Sequence, residues 1–255
     1  MRADKTNVSP VILAIDAGNS RVKWALHDGR RYVRDGWAPT GDLSELDAAW
    51  REIPPVAIAV IANVAGEAVR DTIQSFLARR KINGHFVSGV RQQCGVVSGY
   101  DDPAQLGSDR WAALIGARAH FSGDCLVVNV GTAMTVDALS SAGEFLGGII
   151  VPGFDLMHDA LASRTALLSA ETGQYSIFPR NTQDAMTSGA IQALCGAVER
   201  MRQAMLGAGK SEPTLIVGGG AAEKLVQALG RPVRHAERLV LDGMVRIAAD
   251  LQETR

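Results

Sequence analysis

No stretch of this 255-residue chain reaches the roughly 20 uncharged apolar residues that a bilayer-spanning helix requires. Cysteine is scarce. Cys94, Cys125 and Cys195 lie far apart without a C-x-x-C pair, so neither a disulfide framework nor a zinc ribbon follows. The five histidines (His27, His85, His120, His158, His235) show no H-x-H or H-E-x-x-H spacing. A reducing, cytoplasmic setting suits such a chain. An excess of either charge is also missing: 26 basic and 27 acidic residues leave a net −1, which gives no basis for binding nucleic acid or an anionic membrane. The single basic cluster, Arg79-Arg80-Lys81, is expected to close a helix, where cations complement the dipole. Neither G-x-x-x-x-G-K-[ST] nor G-x-G-x-x-G occurs, which excludes the P-loop and Rossmann solutions to phosphate binding. Residues 1–10 are polar and carry no apolar leader-like run, so a loose arm is expected there.

What is present is ordinary in bulk and specific in detail. A content of 47% apolar and 21% charged residues describes a globular chain with ample core. The length allows one large domain or two of roughly 120 residues. The organising stretch is Val11–Leu26, V-I-L-A-I-D-A-G-N-S-R-V-K-W-A-L. An apolar run ends in Asp16, a turn passes through Gly18, Asn19 and Ser20, and a second run alternates through Val22, Trp24 and Leu26. Backbone N–H groups converging at a Gly turn make an anion-binding concavity. A carboxylate just before it suits a hydrated Mg²⁺, which takes one or two carboxylates plus substrate phosphates. Leu126–Leu139, L-V-V-N-V-G-T-A-M-T-V-D-A-L, repeats the frame polar-x-Gly-polar-small near the start of the second half.

The periodicities around these hairpins give alternating strands and helices. Strands are expected at Arg31–Trp37, Val56–Ala62 and His85–Ser88, with helices from Asp42 and over Gly66–Arg80. Gln92–Leu106 reads as a connection, and Ser108 is placed to N-cap a helix to about His120, with Asp109 and Arg110 in its first turn. Acidic residues are favoured in first turns on dipole grounds alone. The second half is expected to hold strands Cys125–Val130, Met134–Leu139 and Glu144–Val151, then a helix Pro152–Ala162. A loop follows over Ser169–Arg180, then a long helix capped by Asn181 or Thr182. That helix has a small-residue face of Gly189, Ala193 and Gly196, suited to close approach of another backbone. Strand Thr214–Val217, the triplet Gly218-Gly219-Gly220, strand Val233–His235 and helix Arg238–Leu251 complete the chain.

Taken together, D-A-G-N-S-R-V-K-W at 16–24, Y-D-D-P-A-Q-L-G-S-D-R-W at 100–111, G-T-A-M-T-V-D at 131–137, G-G-I-I-V-P-G at 147–153, N-T at 181–182 and V-G-G-G at 217–220 resemble the type III pantothenate kinases over nearly the whole length. That resemblance implies an α/β protein of the actin, Hsp70 and sugar-kinase superfamily. Two ribonuclease-H-like domains, 11–122 and 123–255, would hold ATP in the cleft between them. It implies ATP-dependent phosphorylation of pantothenate by a cytoplasmic homodimer. Asp16, Ala17, Gly18, Asn19, Ser20, Arg21, Val22 and Lys23 would meet the ATP phosphates, with Asp16 near Mg²⁺. Gly131 and Thr132 would hold phosphate from the second hairpin, and Gly218, Gly219 and Gly220 would let adenosine lie on bare backbone. Asp109 would be the catalytic base. Tyr100, Gly107, Ser108, Asp109, Arg110 and Thr182 would line the pantothenate pocket, with Arg110 on the substrate carboxylate and Thr182 from a partner subunit. One departure stands out. The family pattern opens its second hairpin with an Asp that helps hold K⁺ or NH₄⁺, and this chain has Asn129, which puts the monovalent cation in doubt. The alternatives are another actin-like small-molecule kinase or a non-catalytic actin-like regulatory module.

Overall fold

The computed structural model describes residues 11–165 and 171–253, so the expected arm at 1–10 and part of the expected loop from Ser169 lie outside the described residues. In chain order the strands and helices are β1 (Val11–Ala17), β2 (Arg21–His27), β3 (Tyr32–Pro39), α1 (Ser44–Arg51), β4 (Val56–Asn63), α2 (Glu67–Arg80), β5 (Gly84–Phe86), β6 (Gln92–Gln93), β7 (Val96–Ser98) and α3 (Ser108–His120). They continue with β8 (Cys125–Val130), β9 (Ala133–Leu139), β10 (Glu144–Pro152), α4 (Phe154–Arg164), α5 (Thr182–Gly207), β11 (Thr214–Gly218), α6 (Ala222–Leu229), β12 (Val233–His235) and α7 (Leu239–Glu253).

The chain forms two compact units. The first takes the described parts of Met1–Gly95, Asp102–Ala119 and Val240–Arg255; the second takes Val96–Asp101 and His120–Leu239. The sequence expectation places a single boundary between residues 122 and 123, whereas the units exchange two short segments. Residues 96–101 go to the second unit because β7 pairs in parallel with β10. The stretch from Val240 goes to the first, where Gly243 of α7 lies so close to α3 that a Cβ there would stand 1.8 Å from the Ala112 carbonyl oxygen.

In the first unit the sheet runs β3-β2-β1-β4-β5. β1 is antiparallel to β2 and parallel to β4, with Ile15 opposite both Trp24 and Ile61. Parallel strands are covered on both faces, which is why β1 and β4 read as near-continuous apolar runs. Leu13, Ile15, Trp24, Leu26 and Ile61 are buried with Trp50 of α1 and Ile73 and Phe76 of α2.

The second unit repeats the plan. Its strands follow the order β12-β11-β8-β9-β10, the counterpart of β5-β4-β1-β2-β3, with β7 added beyond β10. Leu126, Val128, Val136 and Val217 pack against Ala190, Leu194 and Val198 of α5.

Three local expectations are corrected. Pro152 ends β10, paired with Ala133, and α4 begins at Phe154; β7 covers β10 only at Glu144 and Phe145, so the far end of the strand tolerates a residue without an N–H. Ser108 is the first residue of α3, and its hydroxyl is committed elsewhere, as shown below. The Gln92–Leu106 connection contains β6, β7 and a 3₁₀ turn at Pro103–Gln105. The expectation for Arg79-Arg80-Lys81 holds: Arg79 and Arg80 lie in the last turn of α2 and Lys81 caps it in the left-handed region, with the Arg79 side chain also pairing with Asp47 of α1 at 3.0 Å.

Candidate active site

The hairpin of the first unit is held from three sides. The Gly18 amide donates to the Arg21 carbonyl at 3.0 Å, closing the tip. The Thr40 hydroxyl at the end of β3 donates to the Gly18 carbonyl at 2.7 Å, and the Thr40 amide to the Ser20 carbonyl at 3.1 Å. Asn19, Ser20 and Arg21 are exposed at the tip, and the Arg21 guanidinium lies 4.3 Å over the Trp37 ring. Ala17 and Val22 pair across the hairpin with their side chains in the core, so only their main chain can face a phosphate.

Asp16 ends the apolar run of β1, opposite Lys23 of β2 and beside Ala62 of β4. One residue further along β4, the Asn63 amide donates to Ser108 Oγ at 2.9 Å, and Ser108 Oγ donates back to the Asn63 carbonyl at 3.3 Å. The Val64 amide donates to the Ala17 carbonyl at 2.9 Å. Ser108 therefore ties the start of α3 to the end of the central strands, and Gly107 takes over the helix entry, its carbonyl accepting from the Trp111 amide at 2.9 Å. The Arg110 amide donates to Asp109 Oδ1 at 2.8 Å. A Cβ on Gly107 would stand 2.8 Å from that same oxygen, so the glycine leaves the carboxylate room to fold back over the helix mouth.

The result is two carboxylates gathered on one unit. Burial pushes the Asp16 pKa up to about 6; the Asp109 carboxylate raises it further and Lys23 opposes the shift. Burial also raises Asp109, against the Arg110 amide and guanidinium, which hold it down. Among the described residues no group of three His, Cys, Asp or Glu side chains is placed to hold a metal by itself. One carboxylate, short of positive charge and beside a phosphate-shaped turn, fits a Mg²⁺ that arrives with its phosphates.

In the second unit the Gly131 amide donates to the Ala133 carbonyl at 3.0 Å, and the Gly153 amide to the Thr132 carbonyl at 2.8 Å. A Cβ on Gly153 would stand 2.1 Å from the Gly131 carbonyl oxygen, so only glycine lets the α4 entry lie against this hairpin. Thr132 is exposed. Asn129 sits at the end of β8, opposite Gly218 of β11.

The glycine triplet divides by cause. Gly219 has φ +98°, and a Cβ there would meet Val130 and stand 2.7 Å from Asn129 Oδ1. A Cβ on Gly218 would stand 2.4 Å from the Ala236 carbonyl oxygen. Only Gly220 has open space beside it, so packing explains two of the three and leaves the third free for a ligand.

Tyr100 and Thr182 stand on different elements of this unit. The Tyr100 ring packs 5.2 Å from Phe145 and its amide donates to Ser98 Oγ at 3.3 Å. Thr182 is exposed as the first residue of α5, whose cap is Asn181, accepting from the Asp184 amide at 2.9 Å. Sequence reasoning gave no role to Thr40, Asn63 or Gly153. Thr40 acts just past β3, and Asn63 acts through its main chain as the last residue of β4, one residue beyond the expected strand; Gly153 was visible within G-G-I-I-V-P-G but without its neighbour.

The type III pantothenate kinase family model matches residues 12–204. The chain belongs to that family. A type III pantothenate kinase of Nitrosospira multiformis is 45% identical over 247 residues, covering 97% of this chain and 94% of the relative. One from Nitrosomonas eutropha is 46% identical, covering 95% and 96%. Among solved structures, a putative 2-dehydro-3-deoxygalactonokinase from Sinorhizobium meliloti superposes with a TM-score of 0.62 at 16% identity, covering 94% of this chain and 99% of that one. That likeness concerns the fold, which is the two-domain α/β fold of actin-like ATPases and sugar kinases.

The Asp16 shift has a thermodynamic consequence. Its folded pKa of about 6 exceeds the ordinary 3.8, so the folded state binds the extra proton between those values and this group's stabilising contribution falls as pH rises through them. In metal-free buffer Asp16→Asn should therefore raise the Tm near neutral pH, with a gain that shrinks as pH falls towards 4. Thermal melts across that range in a chelator would show it; a gain independent of pH would mean that the carboxylate's charge is not the cause.

Proposed function

We propose that this chain transfers the γ-phosphoryl group of ATP to the primary hydroxyl of pantothenate, giving phosphopantothenate and ADP at the start of coenzyme A biosynthesis in the cytoplasm. The observation that carries the reading is the pairing of Asp16, on a phosphate-type hairpin, with Asp109, at the mouth of α3. Phosphoryl transfer needs its phosphates positioned, their charge neutralised and its acceptor hydroxyl oriented. The amides and short side chains of 19 and 20, on the turn that Gly18 closes, serve the first need with Arg21 and Lys23, together with Gly131 and Thr132. Asp16 would hold Mg²⁺, which when bound neutralises charge on the transferring oxygens. Asp109 accepts a hydrogen bond from the substrate hydroxyl and takes its proton as the oxygen–phosphorus bond forms and the bond to ADP breaks. Burial suits Asp109 to this, since a carboxylate with a raised pKa is a better base. Arg110 is 6% exposed and sits beside Asp109, where it would meet the substrate carboxylate. Gly220 is where adenosine could lie on bare backbone.

Asp109→Asn keeps an oxygen for the Arg110 amide, so the fold and ATP binding should survive while turnover drops at least ~10²-fold. ADP release with pantothenate, measured against a panel of sugars, tests both the residue and the acceptor. Turnover within threefold of wild type removes Asp109 from the chemistry, and silence with every acceptor favours a non-catalytic role.

A homodimer is part of the proposal. Ile177 is 67% and Phe178 85% exposed ahead of α5, and Ile150 of β10 and Leu156 and Leu161 of α4 are also exposed. The Gly189, Ala193 and Gly196 face is exposed as well, so packing within the unit does not use it. Apolar surface of this kind marks association. Ala193→Arg should shift the sedimenting species towards monomer and weaken pantothenate binding with it; a wild-type protein that is monomeric and fully active at micromolar concentration refutes the dimer.

Asn129 bears on the monovalent cation. Its amide oxygen can coordinate K⁺ or NH₄⁺ but lacks the full charge of the family's Asp. Opposite unit charges ~3 Å apart attract by roughly 5 kcal/mol at an effective dielectric of ~20, before dehydration offsets much of it. Turnover should therefore depend only weakly on K⁺ or NH₄⁺ relative to Na⁺ at matched ionic strength, and Asn129→Asp should strengthen the dependence. Near-absolute dependence in the native protein would show that the amide suffices.

A further inference from the structure

The row of side chains that begins at Asp16 does not stop at Lys23. Across the first sheet Asp16 stands opposite Lys23, and Lys23 opposite Trp37, with no break in register between them. Residues directly opposite one another share a face of the sheet. Ile15, Ala17, Val22, Trp24 and Ala38 alternate with them and fill the core on the other face. Asp16, Lys23 and Trp37 therefore form one row on the face away from that core. Arg21, two residues before Lys23 on β2, shares the face.

Trp37 is unlike the other tryptophans. Trp24, Trp50 and Trp111 are buried, whereas Trp37 is 53% exposed on β3, the outer strand of its sheet. Core packing does not account for an indole there. What its ring meets is the Arg21 guanidinium, 4.3 Å from the ring centroid. Among the described residues no hydrogen bond or ion pair takes that guanidinium. A stacked guanidinium keeps its N–H donors in its own plane, so the ring orders the fork without using a donor.

We propose that Trp37 is a positioning residue for nucleotide binding: its ring holds the Arg21 guanidinium beside the hairpin tip, with its donors unspent, for a phosphate oxygen of ATP. The proposal rests on the reading of this hairpin as a phosphate site. An arginine on an exposed tip otherwise spreads over many rotamers, and ordering it at the moment of binding costs entropy. The stack does part of that ordering in the free protein. An exposed cation–π contact shifts an equilibrium by roughly two- to fivefold, which sets the size of the effect. Trp37 acts through Arg21 alone and touches no substrate.

Calorimetric titration of the full-length protein with ATP and Mg²⁺ tests this. Trp37→Leu should raise the Kd for ATP roughly two- to fivefold, and Trp37→Phe, which keeps an aromatic face, should stay closer to wild type. Arg21→Ala alone should weaken ATP at least as much. Adding Trp37→Leu to it should cost nothing more, because the ring then has no guanidinium to hold. In turnover, the KM for pantothenate should not move in Trp37→Leu. Trp37→Met, also without a π face, gives the same comparison if the leucine variant does not fold. Unchanged or tighter ATP binding in Trp37→Leu overturns the proposal, as does a phenylalanine variant as weak as the leucine one. A further loss in the Arg21→Ala background also overturns it and puts the ring on the nucleotide itself. A wild-type protein that binds no ATP overturns the phosphate reading as well. Binding without ADP release from pantothenate counts against the acceptor alone, and the titrations still decide Trp37.

Discussion

Parallel pairing at the centre of each sheet is the constraint on which the functional geometry depends. In the first unit β1 and β4 run side by side, so Asp16 and Asn63 finish within one residue of the same level. Everything at the candidate site hangs from that edge: the hairpin tip continues β1, and Ser108 hooks the start of α3 onto Asn63. In the second unit β8 and β11 make the same pairing, and Asn129 comes level with Gly218. Carboxyl ends of parallel strands are where open α/β sheets leave a crevice and unpaired backbone donors. The chain meets that geometry twice because its second half repeats the first.

The site works against stability where it gathers charge. Asp16 and Asp109 are drawn together in partly buried positions, and each would be more easily ionised in water. A fold selected for stability alone would place apolar residues at the end of β1, as it does in the rest of that strand. The nearby cations only partly relieve the strain: Lys23 lies across the hairpin from Asp16, and Arg110 sits beside Asp109. In the proposed reaction the metal ion that accompanies ATP would supply the remainder. Perturbed carboxylates at a strand end beside a helix mouth are therefore better explained by chemistry than by packing.

Legibility followed period and length. β2 was readable because Val22, Trp24 and Leu26 alternate inward, and β1 and β4 because two-sided burial makes continuous apolar runs. β7 was not: three residues, Val96–Ser98, lie between the two-residue β6 and a parallel partner some fifty positions later, and show no period of their own. Pro152 shows the limit of local rules, since a helix start and a strand end both tolerate a residue without an N–H. Ser108 had the right residue type for a cap, but its hydroxyl found Asn63, 45 residues away in sequence. The α7 helix was read correctly as a helix, while its neighbour could not be, because Gly243 against Ala112 is a contact between distant backbones. The motif residues were visible as a set; the supports were not, since Thr40 and Gly153 lie outside the strands and helices and Asn63, the last residue of β4, acts through its main chain.

The glycine triplet shows how the two levels correct each other. Read along the chain, three consecutive glycines before a helix look like one device for exposing backbone. In space they answer three separate demands. Gly218 makes room for the Ala236 carbonyl, and Gly219 adopts a left-handed turn pressed against Val130 and Asn129. Only Gly220 keeps open space at its Cβ position. Gly219 matters further because it fixes where Asn129 can put its amide. An Asp in the same place would meet the same glycine with nearly the same shape and a full charge. The difference between the two is therefore electrostatic and leaves the packing of the second hairpin intact.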